Sequence, residues 1–297
     1  MRRSKAFSKF RSDLNILSKV SKNLEYSFEP TVNCFDWIHL LMTNLNHLRS
    51  RILKVAAMAA EGHVPSALSI LDILYVVYDD FLPNEISPST GNLENRFILS
   101  KGHASLALYA VLNHFGKISD EDFYSFAKFD SKLGGHPDRN KISGVESSTG
   151  SLGHGLPQGI GLAMSLRIKK SIGQVYVLIG DGEANEGAIW ESALLAPHHN
   201  LKNLTCIIDN NRSSERALAM GSFSEKFAAF GWKTFEIDGH NHDEIRNALR
   251  MREPNRPIAI VANTIKGYGV SSMESNPEWH HRSPNSEELD YLLGDMR

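Results

Sequence analysis

The sequence predicts an α/β fold: a doubly wound, mostly parallel sheet flanked by helices. Two observations carry this. Short apolar runs of strand length, at 174–179, 204–208 and 257–265, alternate with segments of helical periodicity roughly ten to fifteen residues long. Each run ends in short polar or glycine-rich turns, as in Gly180-Asp181-Gly182-Glu183, Asp209-Asn210-Asn211 and Lys266-Gly267-Tyr268-Gly269. In a parallel sheet such ends emerge on one carboxyl edge, where ligands bind. Asp181 and Asn211 are therefore expected to be neighbours in space. A carboxylate and an amide on rigid strand ends make a hard oxygen site suited to magnesium, which fills its remaining positions with water and phosphate.

The 297 residues are 41% hydrophobic and 22% charged, the composition of a soluble globular protein. The net charge of −2 lacks the basic excess of a general nucleic-acid binder. No apolar run approaches transmembrane length, so neither nucleic acid nor membrane is expected as a partner. Two cysteines, Cys34 and Cys206, cannot build a disulfide framework, and a cytoplasmic location is expected. Residues 1–34 stand apart: Arg2, Arg3, Lys5, Lys9, Arg11, Lys19 and Lys22 face only Asp13, Glu25 and Glu29. They read as a basic N-terminal extension, because the acids and the missing apolar core argue against a targeting peptide. Residues 35–297 show no repeat and no long linker and read as one domain.

The elements follow in order. Ile38, Leu41, Met42, Leu45, Leu48, Ile52, Val55, Ala56 and Ala59 recur at helical spacing and predict a helix over 35–60, stopped by Gly62. Pro65-Ser66 starts a second helix to about residue 80, leaving His63 in the corner between the two. A short strand at 96–100 leads through Lys101-Gly102-His103 into a helix ending near Phe115. That places the His103 imidazole beside a helix N-terminus, where the dipole favours anions and disfavours protonation. Leu133-Gly134-Gly135-His136-Pro137 is a glycine-rich loop. Gly150-Ser151-Leu152-Gly153 is a second, and it precedes a helix over 156–170 whose first N–H groups are free to face an anion. A helix over 186–199 carries Glu186 and Glu191 on adjoining faces, while Glu183 and Asn185 read as turn residues. Then come a helix at 223–231, a strand at 232–237, a helix at 243–251 capped by Asn241, and the strand at 257–265. Trp279-His280-His281 lies near the C-terminus, a run that by itself is consistent with packing.

Taken singly, a Gly-Asp-Gly turn, a glycine-rich loop or a corner histidine is a common structural feature. Their order is more specific. Gly62-His63, Gly102-His103, Gly135-His136, the 150–153 loop, the Asp181–Asn211 pair and Trp279-His280 together resemble the transketolase family. The resemblance extends over nearly all of 35–292 and is to the N-terminal subunit of split transketolases, equivalent to the diphosphate-binding domain of full-length ones. It implies the thiamine diphosphate-binding fold, with thiamine diphosphate and Mg2+ (or Ca2+ or Mn2+) as cofactors. It also implies that Asp181, Asn211 and the Ser213 carbonyl hold the metal. His103, Gly150, Ser151, Leu152, Gly153, Gly180, Asp181, Gly182, Glu186 and Asn211 would contact the cofactor. His63, His103, Glu186 and His280 would be catalytic, and His63, His136 and His280 would meet substrate. The implied reaction is two-carbon ketol transfer from a ketose phosphate to an aldose. The implied partner is a separate pyrimidine-binding subunit, in a heterotetramer, toward which Glu186 reaches.

The chain departs from the family pattern at Val64-Pro65-Ser66, at His154 in place of a usual glutamine, and in the polar, charged run Arg212-Ser213-Ser214-Glu215-Arg216. The last of these fits an alternative, a specialised transketolase-like synthase acting on an unusual sugar. A 2-oxoacid dehydrogenase α-type subunit shares the Gly-Asp-Gly and Asn spacing but not the ordered histidines. A non-catalytic thiamine-binding module predicts damage at Asp181 or Asn211, and both are intact.

Overall fold

The computed structural model describes residues 45–82, 95–215, 217–280 and 282–297. The basic extension, the 35–44 part of the first predicted helix, Arg216 and His281 lie outside the described residues. The described strands form one parallel sheet: β1 Arg96–Leu99, β2 Val175–Gly180, β3 Leu204–Asn210, β4 Lys233–Asp238 and β5 Ile258–Asn263, in the order β1-β2-β3-β5-β4. The described helices are α1 Asn46–Ala59, α2 Val64–Val76, α3 Ser105–His114, α4 Asp120–Tyr124, α5 Gly155–Ile168, α6 Gly187–His198, α7 Phe223–Ala229, α8 His242–Arg250 and α9 Ser286–Gly294.

Alternate strand residues enter two separate cores, because successive side chains point to opposite faces. Tyr176, Leu178, Ile207, Ile258 and Ile260 pack with apolar residues of α1, α2, α3 and α8. Val175, Val177, Ile179, Cys206, Ile208 and Val261 pack with those of α5, α6 and α7. A sheet buried on both faces explains why its strands read as continuous apolar runs rather than alternating ones. The handedness of parallel crossovers explains the layering. From β1 through β3 to β4 the chain steps one way across the sheet, and α5, α6 and α7 lie on one face. It then steps back from β4 to β5, so a right-handed connection puts α8 on the other.

Two local features differ from the sequence reading, the stop of the first helix and the place of Glu186. Helix α1 stops at Ala60, which takes the left-handed conformation (φ 50°) and closes the last turn with its N–H. Gly62 has another task. Its φ is +120°, and a Cβ there would come 2.5 Å from Leu106 Cδ1, so glycine lets the corner lie directly on α3. The second helix starts as read: Val64, Pro65 and Ser66 form the buried first turn of α2. The Pro65 carbonyl accepts from the Gly267 N–H at 3.0 Å, and the Ser66 carbonyl from the Lys101 ammonium at 3.4 Å. Finally, Glu186 is not inside α6 but precedes it, with extended backbone (φ −72°, ψ 131°) and an exposed side chain. The cap on α8 is as read: the Asn241 side chain accepts from the N–H groups of Asp243 and Glu244. Helices α4 and α9 have no counterpart in the sequence reading; α9 starts with an Asn285–Glu288 capping box.

Candidate active site

The parallel sheet delivers the ends of all five strands to one edge, and a buried carboxylate ties four of the segments there together. Asp209, at the end of β3, accepts from Lys101 Nζ at 2.5 Å, Ser69 Oγ at 2.6 Å and Asn211 Nδ2 at 2.9 Å, and from the Thr264 hydroxyl. Burial by itself would raise its pKa. The Lys101 charge and the ring of donors outweigh burial and hold it below the usual value. The loops after β1, β3 and β5 and the body of α2 are thereby locked in register.

Asp181 and Asn211 both lean on this centre. The Asp181 N–H donates to the Asp209 carbonyl at 3.1 Å, and Asn211 donates to the Asp209 side chain. The Asp181 carboxylate is buried; it accepts from the Gly182 N–H at 2.7 Å and from the Ser214 N–H at 3.5 Å, bridging the β2 and β3 ends. Burial and then the neighbouring Asp209 charge push its pKa up, against those donors. The Asn211 amide is fixed on both sides, because its oxygen accepts from the Ser213 N–H at 3.1 Å. The expected trio of Asp181, Asn211 and Ser213 is therefore one connected cluster. Among the described residues no group of three or more His, Cys, Asp or Glu side chains is arranged to hold a metal by itself. A site here would use one carboxylate, one amide and backbone oxygen, with a diphosphate completing the shell.

Glu183 does more than a turn residue. Its carboxylate is buried and accepts from the Ser100 hydroxyl, the Gly153 N–H at 2.9 Å and the Gly180 N–H at 3.1 Å. It staples the β1 end and the glycine-rich loop to the β2 end. Burial still dominates and raises its pKa. No sequence signal distinguishes it from a solvated glutamate in a turn. The loop it holds needs glycine: Gly150 and Gly153 have φ of +144° and +82°. A Cβ on Gly153 would strike Glu186 Cβ at 2.6 Å, which places Glu186 against the predicted cofactor loop. Ser151, Leu152 and Gly153 lie on that loop beside it. His154 turns back onto the same loop, with Nδ1 3.2 Å from Ser151 Oγ and 3.0 Å from the Leu152 carbonyl. That departure from the family pattern is thus met by local packing.

The histidines gather around the start of α3. The His63 and His103 rings meet edge-on with centroids 5.2 Å apart. Burial, and then the positive charge of Lys101 and the neighbouring His63, hold the His103 pKa far below the usual imidazole value, so this ring stays neutral near pH 7. A Cβ on Gly150 would come 3.1 Å from the His136 ring, so His136 rests on the glycine-rich loop. His280 belongs to a different part of the site. It lines a cleft of about 530 Å³ over the β3, β4 and β5 ends, together with Asn211, Arg212, Ser213 and Lys266. Lys266 Nζ lies 2.9 Å from His280 Nδ1, and burial and then the Lys101 charge lower the lysine pKa to about 8. The sequence reading assigns no role to Lys266. Behind the cleft, Asp72 accepts from Arg49 at 2.8 Å and pairs with His240 at 3.1 Å and His242 at 2.9 Å. The Ile265 N–H donates to His240 Nε2 at 2.9 Å, so Nδ1 carries the proton shared with Asp72, and the backbone beside Lys266 is fixed.

Over residues 43–292 the chain matches the family described as transketolase, thiamine diphosphate binding domain. A protein of Phocaeicola vulgatus, named as one subunit of apulose-4-phosphate transketolase, is 36% identical over 255 residues, covering 84% of this chain and 90% of that protein. The protein of the same name from Actinobacillus succinogenes is 36% identical over 257 residues, covering 84% and 93%. Among solved structures, a transketolase from Campylobacter jejuni aligns with a TM-score of 0.77 at 30% identity, covering 86% of this chain and 43% of that one. The chain therefore spans less than half the length of that solved enzyme. On sequence and on fold alike, the chain belongs to the transketolase family and carries that family's thiamine diphosphate-binding domain.

Proposed function

We propose that this chain is the diphosphate-binding subunit of a two-chain transketolase. The enzyme would be a transferase that moves a two-carbon ketol unit from a ketose phosphate to an aldose, using thiamine diphosphate and a divalent cation. The observation that carries the reading is the Asp181 cluster. A buried carboxylate whose ionisation is disfavoured by burial and by Asp209, linked through Asp209 to a fixed amide, is an arrangement that a cation relieves. The residues present fit the whole group. Asp181, Asn211 and the Ser213 carbonyl would hold Mg2+, Ca2+ or Mn2+. Lys266, lining the cleft with Asn211 and Ser213, would supply positive potential for a diphosphate, whereas the start of α5 is closed, because the Gly155 N–H already donates to Ser100 Oγ at 3.1 Å and Pro157 has no N–H. Gly150 and Gly153 let backbone approach it. When bound, thiamine diphosphate supplies the electron sink that carbanion chemistry at a ketose carbonyl requires.

The remaining steps belong to this chain's side chains. Neutral His103 can accept or donate one hydrogen bond without bringing a charge. His63 beside it, His136 on the glycine-rich loop, and His280 with its Lys266 neighbour would orient sugar hydroxyls and move protons at the reacting oxygens. Glu186, exposed ahead of α6, would face the pyrimidine-binding subunit. The relatives that are named as transketolase subunits support a separate partner, and a heterotetramer in the reducing cytoplasm is the assembly we propose. Those relatives are named for apulose 4-phosphate, which keeps an unusual sugar among the candidate donors.

Two experiments test this. Ketol transfer should require the chain, a pyrimidine-domain subunit, thiamine diphosphate and Mg2+ together; full activity of the purified chain alone would sink the two-chain reading. Asp181→Asn should weaken Mg2+-dependent cofactor binding by about a hundredfold or more, because the one charged ligand of the trio becomes a neutral amide, a larger change than the tenfold to hundredfold cost of losing an outer partner. Its melting temperature should change little, because removing a charge that burial disfavours offsets the amide N–H turned toward the Ser214 N–H, a long contact of 3.5 Å. Unchanged cofactor affinity by calorimetry would show the metal assignment to be wrong.

A further inference from the structure

We propose that Glu61 is a further sugar-binding residue, whose carboxylate accepts a hydrogen bond from a substrate hydroxyl between His63 and His136. The inference rests on the transketolase reading above and adds a residue that the ordered motifs do not contain. Helix α3 organises the region. Gly62 lies on Leu106 of this helix. The carbonyls of Gly134 and Gly135 are pinned to the same helix by the Tyr109 hydroxyl at 3.0 Å and the Ser105 hydroxyl at 2.9 Å. The corner carrying His63 and the loop carrying His136 are thus held by neighbouring turns of one buried helix, and His103 sits in the turn that opens it.

Glu61 spans the gap between those two arms. Its carboxylate is laid on Gly135, with Oε1 3.1 Å from the position a Cβ would occupy there. Gly135 is not one of the glycines with positive φ, so its backbone would accept a side chain; what the missing Cβ provides is room for Glu61. Contacts then run from Glu61 over Gly135 to His136, on to Gly150, to Gly102 and so to His103 and His63, two residues from Glu61 itself. Among the described residues none hydrogen-bonds or ion-pairs with the Glu61 carboxylate, and it remains exposed. An ionised carboxylate offers only acceptors and is the strongest acceptor a sugar hydroxyl can find. The histidines around it give one donor and one acceptor each when neutral. Glu61 therefore complements them toward a polyhydroxylated ligand.

The test uses the reconstituted two-chain enzyme with xylulose 5-phosphate as donor and ribose 5-phosphate as acceptor. Glu61→Ala should raise KM for at least one of these sugars by about tenfold or more, the range of a lost hydrogen bond to a charged group. Glu61→Gln, which keeps one acceptor oxygen, should recover part of that loss. Turnover at saturating sugar, cofactor affinity and melting temperature should stay within about twofold or a degree or two, since the platform is held by Ser105 and Tyr109. Unchanged KM for both sugars overturns the proposal, and so does a rise matched by equal weakening of cofactor binding, which would mean that Glu61 only supports the loop. If the wild-type complex transfers no ketol unit from any sugar phosphate, the functional reading fails and this proposal with it. Turnover by the wild type with an indifferent Glu61→Ala sinks Glu61 alone.

Discussion

The two halves of the candidate site are built differently. At the strand ends, Asp209 and Glu183 are buried, and each is met by several donors drawn from separate loops. At the mouth, Glu61, His136, Ser151, His154 and Glu186 are exposed and touch chiefly backbone and glycines. The first half is assembled by the fold before any ligand arrives. The second is a set of exposed side chains on well-pinned backbone. A protein that must grip a diphosphate and cation by itself, but shares the reacting end with another subunit, would be expected to divide its polar groups in this way.

The largest blow to the wired half should come from Lys101→Met. Lys101 and Asp209 are 2% and 0% exposed, so removing the ammonium leaves a buried carboxylate without its counter-ion. The expected loss is about 3–5 kcal/mol of folding stability, read from urea denaturation. Adding Asp209→Asn to this variant should restore a substantial part, because the cost lies in the orphaned charge and not in the missing contact. A Lys101→Met protein as stable as the wild type would mean that the wiring is incidental.

Glu183→Gln should cost less. The glutamine keeps one oxygen for Ser100 and the Gly153 N–H, but turns an amide N–H toward the Gly180 N–H. A buried donor left facing a donor costs about 1–3 kcal/mol. The low end is expected, because burial already disfavours the charge on Glu183. The diagnostic result is local: hydrogen exchange at the Gly180 N–H, whose acceptor is lost, and at the Gly153 N–H, whose acceptor becomes neutral, should accelerate more than exchange at residues 175–179 of β2. Uniform loss of protection would show that Glu183 supports the core and does not specifically hold the loop.

This contrast between halves also marks what can be read from sequence. The sheet is legible because both of its faces are buried, so each strand is a continuous apolar run ending in a polar turn. Of the mouth residues, His136 and Ser151 are legible because they belong to ordered motifs, whereas Glu61 belongs to none. The wiring is not. Glu183 in a turn and Lys101 ahead of a glycine look like solvated charges, and only the tertiary fold places Ser100 and Asp209 opposite them. Ala60 is hidden as a helix stop because Gly62, two residues on, is the better candidate by propensity; packing on Leu106 uses that glycine for another purpose. Glu186 reads as helical because a glutamate is at home in a helix, whereas it precedes α6 with extended backbone.

The smallest expected effect lies where the halves meet, at Lys266. Its ammonium lines the same cleft as Asn211 and Ser213 and contacts His280. A lysine lowered to about 8 is charged below that pH and neutral above it. A bound diphosphate favours the charged form and raises the lysine pKa in the complex. Cofactor affinity should therefore be level below pH 8, then fall by up to about tenfold per pH unit until the pKa of the complex is reached. Lys266→Met should bind thiamine diphosphate with Mg2+ roughly tenfold more weakly at pH 7 and should lose that alkaline decline. Calorimetry from pH 6.5 to 9.5 on both proteins decides it. If the decline persists in Lys266→Met, another cation titrates against the diphosphate, and the wired half extends no further than Lys101. If it disappears, the wired half reaches across the cleft to His280, and the boundary between what this chain completes and what it leaves open falls at the histidines.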